Sequence, residues 1–210
     1  MNPQGNAGPY EPFSTARCVL TFFITISCGA LLRSILGMFT GVSAFAGGVT
    51  KSATSPIRAP RIVVVKHERV LHLFDGERWV KSYRIGLGRS PEGPGSHPGD
   101  GQTPLGKFYI CSRNRASRYH RFLGISYPDE AAVRRGLAEG LISQGQAEAI
   151  RTALREWRQP DWTTPLGGGI GLHGGGNDRD WTAGCIALTD QAIDELDAVM
   201  RLGDPVEILP

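Results

Sequence analysis

From residue 61 onward the apolar positions fall first into short strand-type runs. Ile62-Val-Val-Val65 is one, and Val70-Leu-His-Leu-Phe74 and Trp79-Val-Lys-Ser-Tyr-Arg-Ile85 flank Asp75-Gly76, a two-residue hairpin signal. This pattern predicts an opening β-meander. Residues 86 to 106 carry seven glycines and four prolines, a long surface loop of the kind that is either functional or disordered. Lys107 to Cys111 resumes strand character. Between Asp129 and Trp157 the spacing turns helical. Ser143 and Gln146 form a capping-box start, and Ala147, Ile150, Leu154 and Trp157 recur at steps of three and four, one face expected to pack in the core. Two more strand-like runs follow, Ile170 to Leu172 and Ile186 to Leu188. A last helix is expected from Asp190 to about Leu202, with Thr189 as its cap, Ile193, Leu196 and Met200 as its apolar stripe, and Gly203 as its stop. Pro205 to Leu209 is expected as an edge strand, where proline costs no ladder bond.

Ahead of these elements lies the longest uncharged apolar run, Cys18 to Leu32, preceded by Arg17 and ended by Arg33. Ala44-Phe-Ala46 supplies small residues at the positions a signal peptidase reads, so residues 1–46 are expected to form an export signal. The alternative is an uncleaved membrane anchor drawing on residues 18–45. Thr25-Ile-Ser-Cys28 is a poor lipoprotein site because threonine replaces the usual aliphatic residue. Residues 47–60, rich in small residues and proline, are expected as a linker, leaving 61–210 as one folded domain. Of 210 residues, 40% are hydrophobic and 20% charged, an ordinary globular balance, and one short apolar run excludes a polytopic membrane protein. The net charge of +3 is too small to argue for a nucleic-acid partner.

An exported chain changes the meaning of its four cysteines. Cys18 and Cys28 fall in the targeting segment, leaving Cys111 and Cys185. These two are either the halves of one disulfide or free thiols. The surroundings of Cys185 bear on the choice, because eight glycines lie between Gly167 and Gly184. Glycine at that density costs backbone entropy and calls for close approach of the backbone to a ligand. His173 ends one strand-like run and Cys185 opens the next. Neighbouring strands can set an imidazole beside a thiol so that it takes the thiol's proton and leaves a thiolate nucleophile, and Gly184 leaves the backbone N–H groups at this turn unshielded and able to stabilise an oxyanion. Zinc held by Cys185, His173, Asp178 and Asp180 is the competing reading. The spacing disfavours it, since zinc ligands normally come in pairs two to four residues apart and no second Cys or His is local. His67, His72, His97 and His120 are expected as surface or satisfied polar residues. Arg113, Arg115, Arg118 and Arg121 form a basic stretch expected to face solvent, with the alternative that one of them reaches the site.

His173-Gly174 followed by Thr182-x-Gly184-Cys185-Ile186 resembles the signature of the L,D-transpeptidase catalytic domain (YkuD-like). Thr103-Pro-Leu-Gly-Lys-Phe-Tyr-Ile110 is similar to that family's Thr-Pro-x-Gly-x-(aromatic) strand, and Tyr83-Arg-Ile-Gly-Leu-Gly88 resembles its opening. Ser126-Tyr-Pro128 and Asp180-Trp-Thr182 resemble the subgroup with murein transpeptidase-like and lipoprotein-releasing members. The resemblance spans about Arg61 to Leu209. It implies a mainly β domain with peripheral helices (α+β), Cys185 as nucleophile, His173 as base, the Gly174 carbonyl as the orienting third group, and Gly184 and Cys185 as the oxyanion hole. Thr182, Trp181, Tyr127 and Arg118 are the substrate-binding residues expected. The implied partner is a peptidoglycan stem peptide in the periplasm or cell envelope, with an envelope lipoprotein as a further possibility. No metal or other cofactor is expected. Departures stand at Ala183, where better-known members carry His or Arg, and at Ala187, where they carry Arg thought to bind substrate. Residues 129–161 are longer than the family's usual connection. A hydrolase using the same thiol and an inactive wall-binding module are the alternatives. The NlpC/P60 cysteine peptidases are disfavoured because they place cysteine before histidine.

Overall fold

A computed structural model of the chain describes residues 56–95 and 98–210. The targeting segment, most of the linker and His97 lie outside the described residues. Among the described residues no helix is long and apolar enough to cross a membrane.

The meander forms as the hairpin signal predicts. Strands β1 (Pro60–Val65), β2 (Val70–Asp75) and β3 (Arg78–Arg84) pair antiparallel in sequence. The remaining strands are β4 (Gly106–Ser117), β5 (His120–Ile125), β6 (Gly171–His173), β7 (Ile186–Ala187) and β8 (Pro205–Leu209). They complete a sheet of order β3-β2-β1-β8-β4-β5-β6-β7, so the fold is mainly β with three helices beside it. The alternation of strand side chains sends Ile62, Val64, Leu71, Leu73, Ile110, Leu123 and Ile125 into one core, each at most 3% exposed.

Three expectations change. β8 is a central strand, not an edge: it runs parallel to β1 and antiparallel to β4. Pro205 is tolerated because it is the first residue of the strand. β4 runs six residues beyond Cys111, which takes Arg113 and Arg115 into the strand, while Arg118 stands in the turn to β5 and Arg121 lies on β5. Trp157 is not in the core. Helix α2 (Gln144–Arg155) starts at the Ser143/Gln146 capping box and buries Ala147 and Ile150, but it ends before Trp157. That residue takes a left-handed φ of 55°, is 63% exposed, and lays its ring 4.7 Å from that of Tyr109.

Helix α1 (Glu130–Ala138) accounts for the rest of the helical stretch, capped by Asp129. Helix α3 (Asp190–Val199) starts at Thr189 as expected and packs Ile193 and Leu196 inward. It also buries Asp197, 4% exposed, which the apolar stripe does not foretell. Arg113 and Arg115, two residues apart and therefore on one face of β4, both meet this carboxylate at 3.0 Å, and Arg121 meets it at 2.9 Å while also pairing with Asp194. A buried carboxylate is stable only with such partners. Replacing Asp197 by Ala should therefore destabilise the fold by about 2 to 3 kcal/mol, below the range for a fully buried pair because the arginines are partly solvated. Urea unfolding measures it. A change within about 0.5 kcal/mol would contradict this role.

Candidate active site

Parallel pairing of β6 with β7 sets Leu172 opposite Ile186 and His173 opposite Ala187. His173 thus ends one strand, and Cys185 immediately precedes its neighbour. The imidazole is 2% exposed. Its Nδ1 lies 2.6 Å from the Gly174 carbonyl oxygen. A carbonyl only accepts, so Nδ1 carries the proton and Nε2 is left as a lone-pair acceptor, the tautomer a general base requires. Burial lowers the His173 pKa below its ordinary 6.5; the hydrogen bond to Gly174 opposes this and the Arg118 charge adds to it. This shift favours the neutral imidazole.

Aromatic rings hold that imidazole in place. The Tyr119 ring stacks on it at 4.7 Å, 25° from parallel, and Trp181 meets it edge-on at 5.5 Å. Arg118 in turn sits 4.7 Å above the Tyr119 ring. Tyr119 also accepts the Gly174 N–H on its carbonyl at 3.0 Å. No side chain fits at Gly174, where a Cβ would fall 2.4 Å from an Asp190 carboxylate oxygen and 3.0 Å from the Tyr119 carbonyl.

Both Cys111 and Cys185 are free thiols, so the disulfide reading does not hold. Burial pushes Cys111 up to about 12. It also raises Cys185, against a smaller opposing effect from a Gly171 backbone hydrogen bond. Both shifts favour the neutral thiol and neutral imidazole over an ion pair. Among the described residues the Cys185 thiol hydrogen-bonds the Gly169 carbonyl, 3.6 Å away, and not the imidazole.

The turn before Cys185 is held by Thr182, 4% exposed, whose hydroxyl donates to the Cys185 carbonyl at 2.7 Å and accepts the Gly184 N–H at 3.1 Å. Gly184 itself adopts φ 138°, and a Cβ there would fall 2.8 Å from the Gln102 carbonyl oxygen.

Cys185 opens into a cavity of about 210 Å³ between the glycine- and proline-rich loop and the Leu166–Ile170 segment. Tyr127 and Ala183 line it, as do Asp100 and Gln102 of the loop. Lys66, 4% exposed, anchors that loop by donating to the Gly93 and Thr103 carbonyls, each at 2.7 Å. Trp162 donates its indole N–H to the Tyr127 carbonyl at 2.8 Å and packs over Gly168.

The sequence profile of the L,D-transpeptidase catalytic domain (YkuD) matches residues 59–208. The chain belongs to this family. Its fold is similar to the helical cell shape determining protein Pgp2 (K307A mutant) from Campylobacter jejuni, with a TM-score of 0.51 and 20% identity over 71% of this chain and 46% of that one. It is also similar to Bd1075 of Bdellovibrio bacteriovorus, with a TM-score of 0.47 and 20% identity over 73% of this chain and 48% of that one. For the L,D-transpeptidase from Mycobacterium smegmatis the TM-score is 0.43, with 10% identity over 72% of this chain and 58% of that one. The chain spans about half the length of these solved proteins. Comparison with curated proteins gives no match.

Around the family motif the remaining expected residues separate. Asp180 takes Arg69 in a bidentate pair, closest contact 2.8 Å, and accepts the Leu87 N–H at 2.8 Å. That pair, with Leu87 O accepting the Trp181 and Thr182 N–H groups, anchors Asp-Trp-Thr to the end of β3. Ala187, where an arginine stands in better-known members, is fully buried and exchanges two backbone hydrogen bonds with Gly86. Arg113, Arg115 and Arg121 are committed to α3, which removes them as donors to the cleft. Arg118 makes none of those pairs.

Proposed function

We propose that this chain is a peptidoglycan-modifying cysteine acyltransferase, an L,D-transpeptidase that works through a thioester on Cys185. The observation that carries the reading is the His173 tautomer. Its Nδ1–H is taken by Gly174, so Nε2 is free to accept a proton, and Cys185, at the head of the strand paired with that of His173, opens into a cavity. In the first half-reaction Cys185 Sγ–H passes its proton to His173 Nε2 as sulfur bonds to the carbonyl carbon of the stem's diamino acid. The Cys185 N–H faces the developing oxyanion. The tetrahedral intermediate collapses, the C–N bond to the terminal D-alanine breaks, and the imidazolium returns the proton to that amine. In the second half an acceptor amine attacks the thioester and loses its proton to His173. The carbon–sulfur bond then breaks and the thiol is restored.

The stem donor ends in a carboxylate, and Arg118 is the arginine of the basic stretch that stands by the imidazole. We assign it the carboxylate contact, with Tyr127 in the cavity wall and Trp181 beside His173 as the other groups against the substrate. Arg118→Ala should raise the donor KM about tenfold or more, the loss of one charge-assisted contact. Because the Arg118 charge depresses the His173 pKa, the same change should move the acid limb of the rate to higher pH. Steady-state kinetics across pH separates the two effects. An unchanged KM would remove Arg118 from substrate binding.

The 1–46 segment fits an export signal or an anchor that delivers the domain to the cell envelope, where this substrate is found. Mass spectrometry of peptidoglycan fragments incubated with the protein tests the reaction. Cross-linked or D-amino-acid-exchanged stems are expected. Tripeptide formed by water alone would instead assign a carboxypeptidase, and an envelope lipoprotein released from peptidoglycan would assign an amidase.

A further inference from the structure

The Gly174 carbonyl that takes the His173 proton belongs to the same peptide unit as the Gly175 N–H. That N–H donates to an Asp190 carboxylate oxygen at 2.8 Å. The chain of contacts is therefore continuous: imidazole Nδ1–H to Gly174 oxygen at 2.6 Å, through one peptide plane, to Asp190 in the first turn of α3. On its other side Gly174 is fixed by its own N–H to the Tyr119 carbonyl at 3.0 Å. A peptide between two glycines turns freely, and the left-handed φ of 96° at Gly175 is open to few other residues. The Gly176 N–H beyond it donates to the Leu188 carbonyl at 2.9 Å, so the chain is held on both sides of this peptide, and the Asp190 contact is the one made by the plane's own N–H.

Resting on the proposed role of His173, we infer that Asp190 is a positioning residue for the catalytic base, acting through the Gly174–Gly175 peptide. Its carboxylate is solvent-exposed, so its charge is screened and what it supplies is direction. The other charged or titratable groups near the ring and this peptide are Arg118 over Tyr119, Tyr119 itself, Cys185, and His120, whose Cβ lies near Gly174 and whose ring pairs with Asp194. None of them meets the Gly175 N–H. α3 keeps its Thr189 cap in any Asp190 variant, so its start does not depend on this side chain.

The test uses the full chain with ¹⁵N-labelled histidine and compares Asp190→Asn, which keeps an acceptor oxygen without charge, with Asp190→Ala, which has none. In wild type and D190N the His173 Nδ1 proton should be observed and protected. In D190A its exchange with solvent should quicken about tenfold or more. Donor acylation should follow, with kcat falling about three- to tenfold in D190A at unchanged KM and D190N within about twofold of wild type. Equal Nδ1 protection in all three proteins would overturn the inference, and so would a D190N as impaired as D190A. Should D190A fail to fold, retention of both properties in D190N supports the inference and their loss overturns it. The exchange readout needs no substrate, so a protein inactive on stem peptides would overturn the transpeptidase reading while this measurement still decided the role of Asp190.

Discussion

Cys185→Ala should abolish acyl-enzyme formation while leaving thermal unfolding close to that of wild type. Sulfur is the atom that bonds to substrate in this account, and no other thiol can replace it. Cys111 is free and half-buried on β4, and burial pushes its thiol up to about 12, so it is not ionised near neutral pH. Cys111→Ala should therefore keep most of the activity. Iodoacetamide separates the two residues in one experiment: peptide mapping should find the label on Cys185, which opens into the cavity, and little on Cys111. Equal loss of activity in the two variants would return the paired-cysteine reading.

His173→Gln should slow acylation by about 10² to 10⁴-fold, the usual worth of a positioned general base. The sign of the pH dependence follows from the direction of the His173 shift. Its pKa in the folded protein lies below 6.5, so the base form persists as pH falls through 6.5 and the rate declines only at lower pH. On the alkaline side the raised Cys185 thiol ionises to the nucleophile itself, so no loss is expected there from this pair. Wild type should then label with iodoacetamide at a lower pH than the variant, since only wild type has a base to take the proton. Superimposable pH profiles for the two proteins would break the His173–Cys185 couple.

The parts of this site that share a short stretch of chain were legible in the sequence. His173 and Cys185 stand out because each borders an apolar run within a glycine-rich segment, and the Ser143 and Thr189 caps follow from local rules of helix ends. What the sequence hid depends on distant chain. The central place of β8 comes from pairing with β1 and β4, and no local pattern distinguishes it from an edge strand that begins with proline. Asp180 looks like a spare carboxylate in sequence, and only the turn after β1 brings Arg69 to it. The arginines after Cys111 read as a solvated stretch because Asp197, their shared partner, sits over 70 residues away on a helix whose stripe shows only its apolar members. Tyr119 and Trp162 carry no motif at all. The Thr182 contact to the Gly184 N–H was equally hidden, because it depends on the turn's backbone conformation rather than on residue type.

Intact-protein mass spectrometry after mixing with a stem tetrapeptide reads out the thioester itself. One adduct per chain is expected, equal in mass to the tetrapeptide less its terminal D-alanine, located on Cys185 by peptide mapping and missing from Cys185→Ala. Turnover of the tetrapeptide by a Cys185→Ala protein, or an adduct carried on any other residue, would contradict the Cys185 thioester.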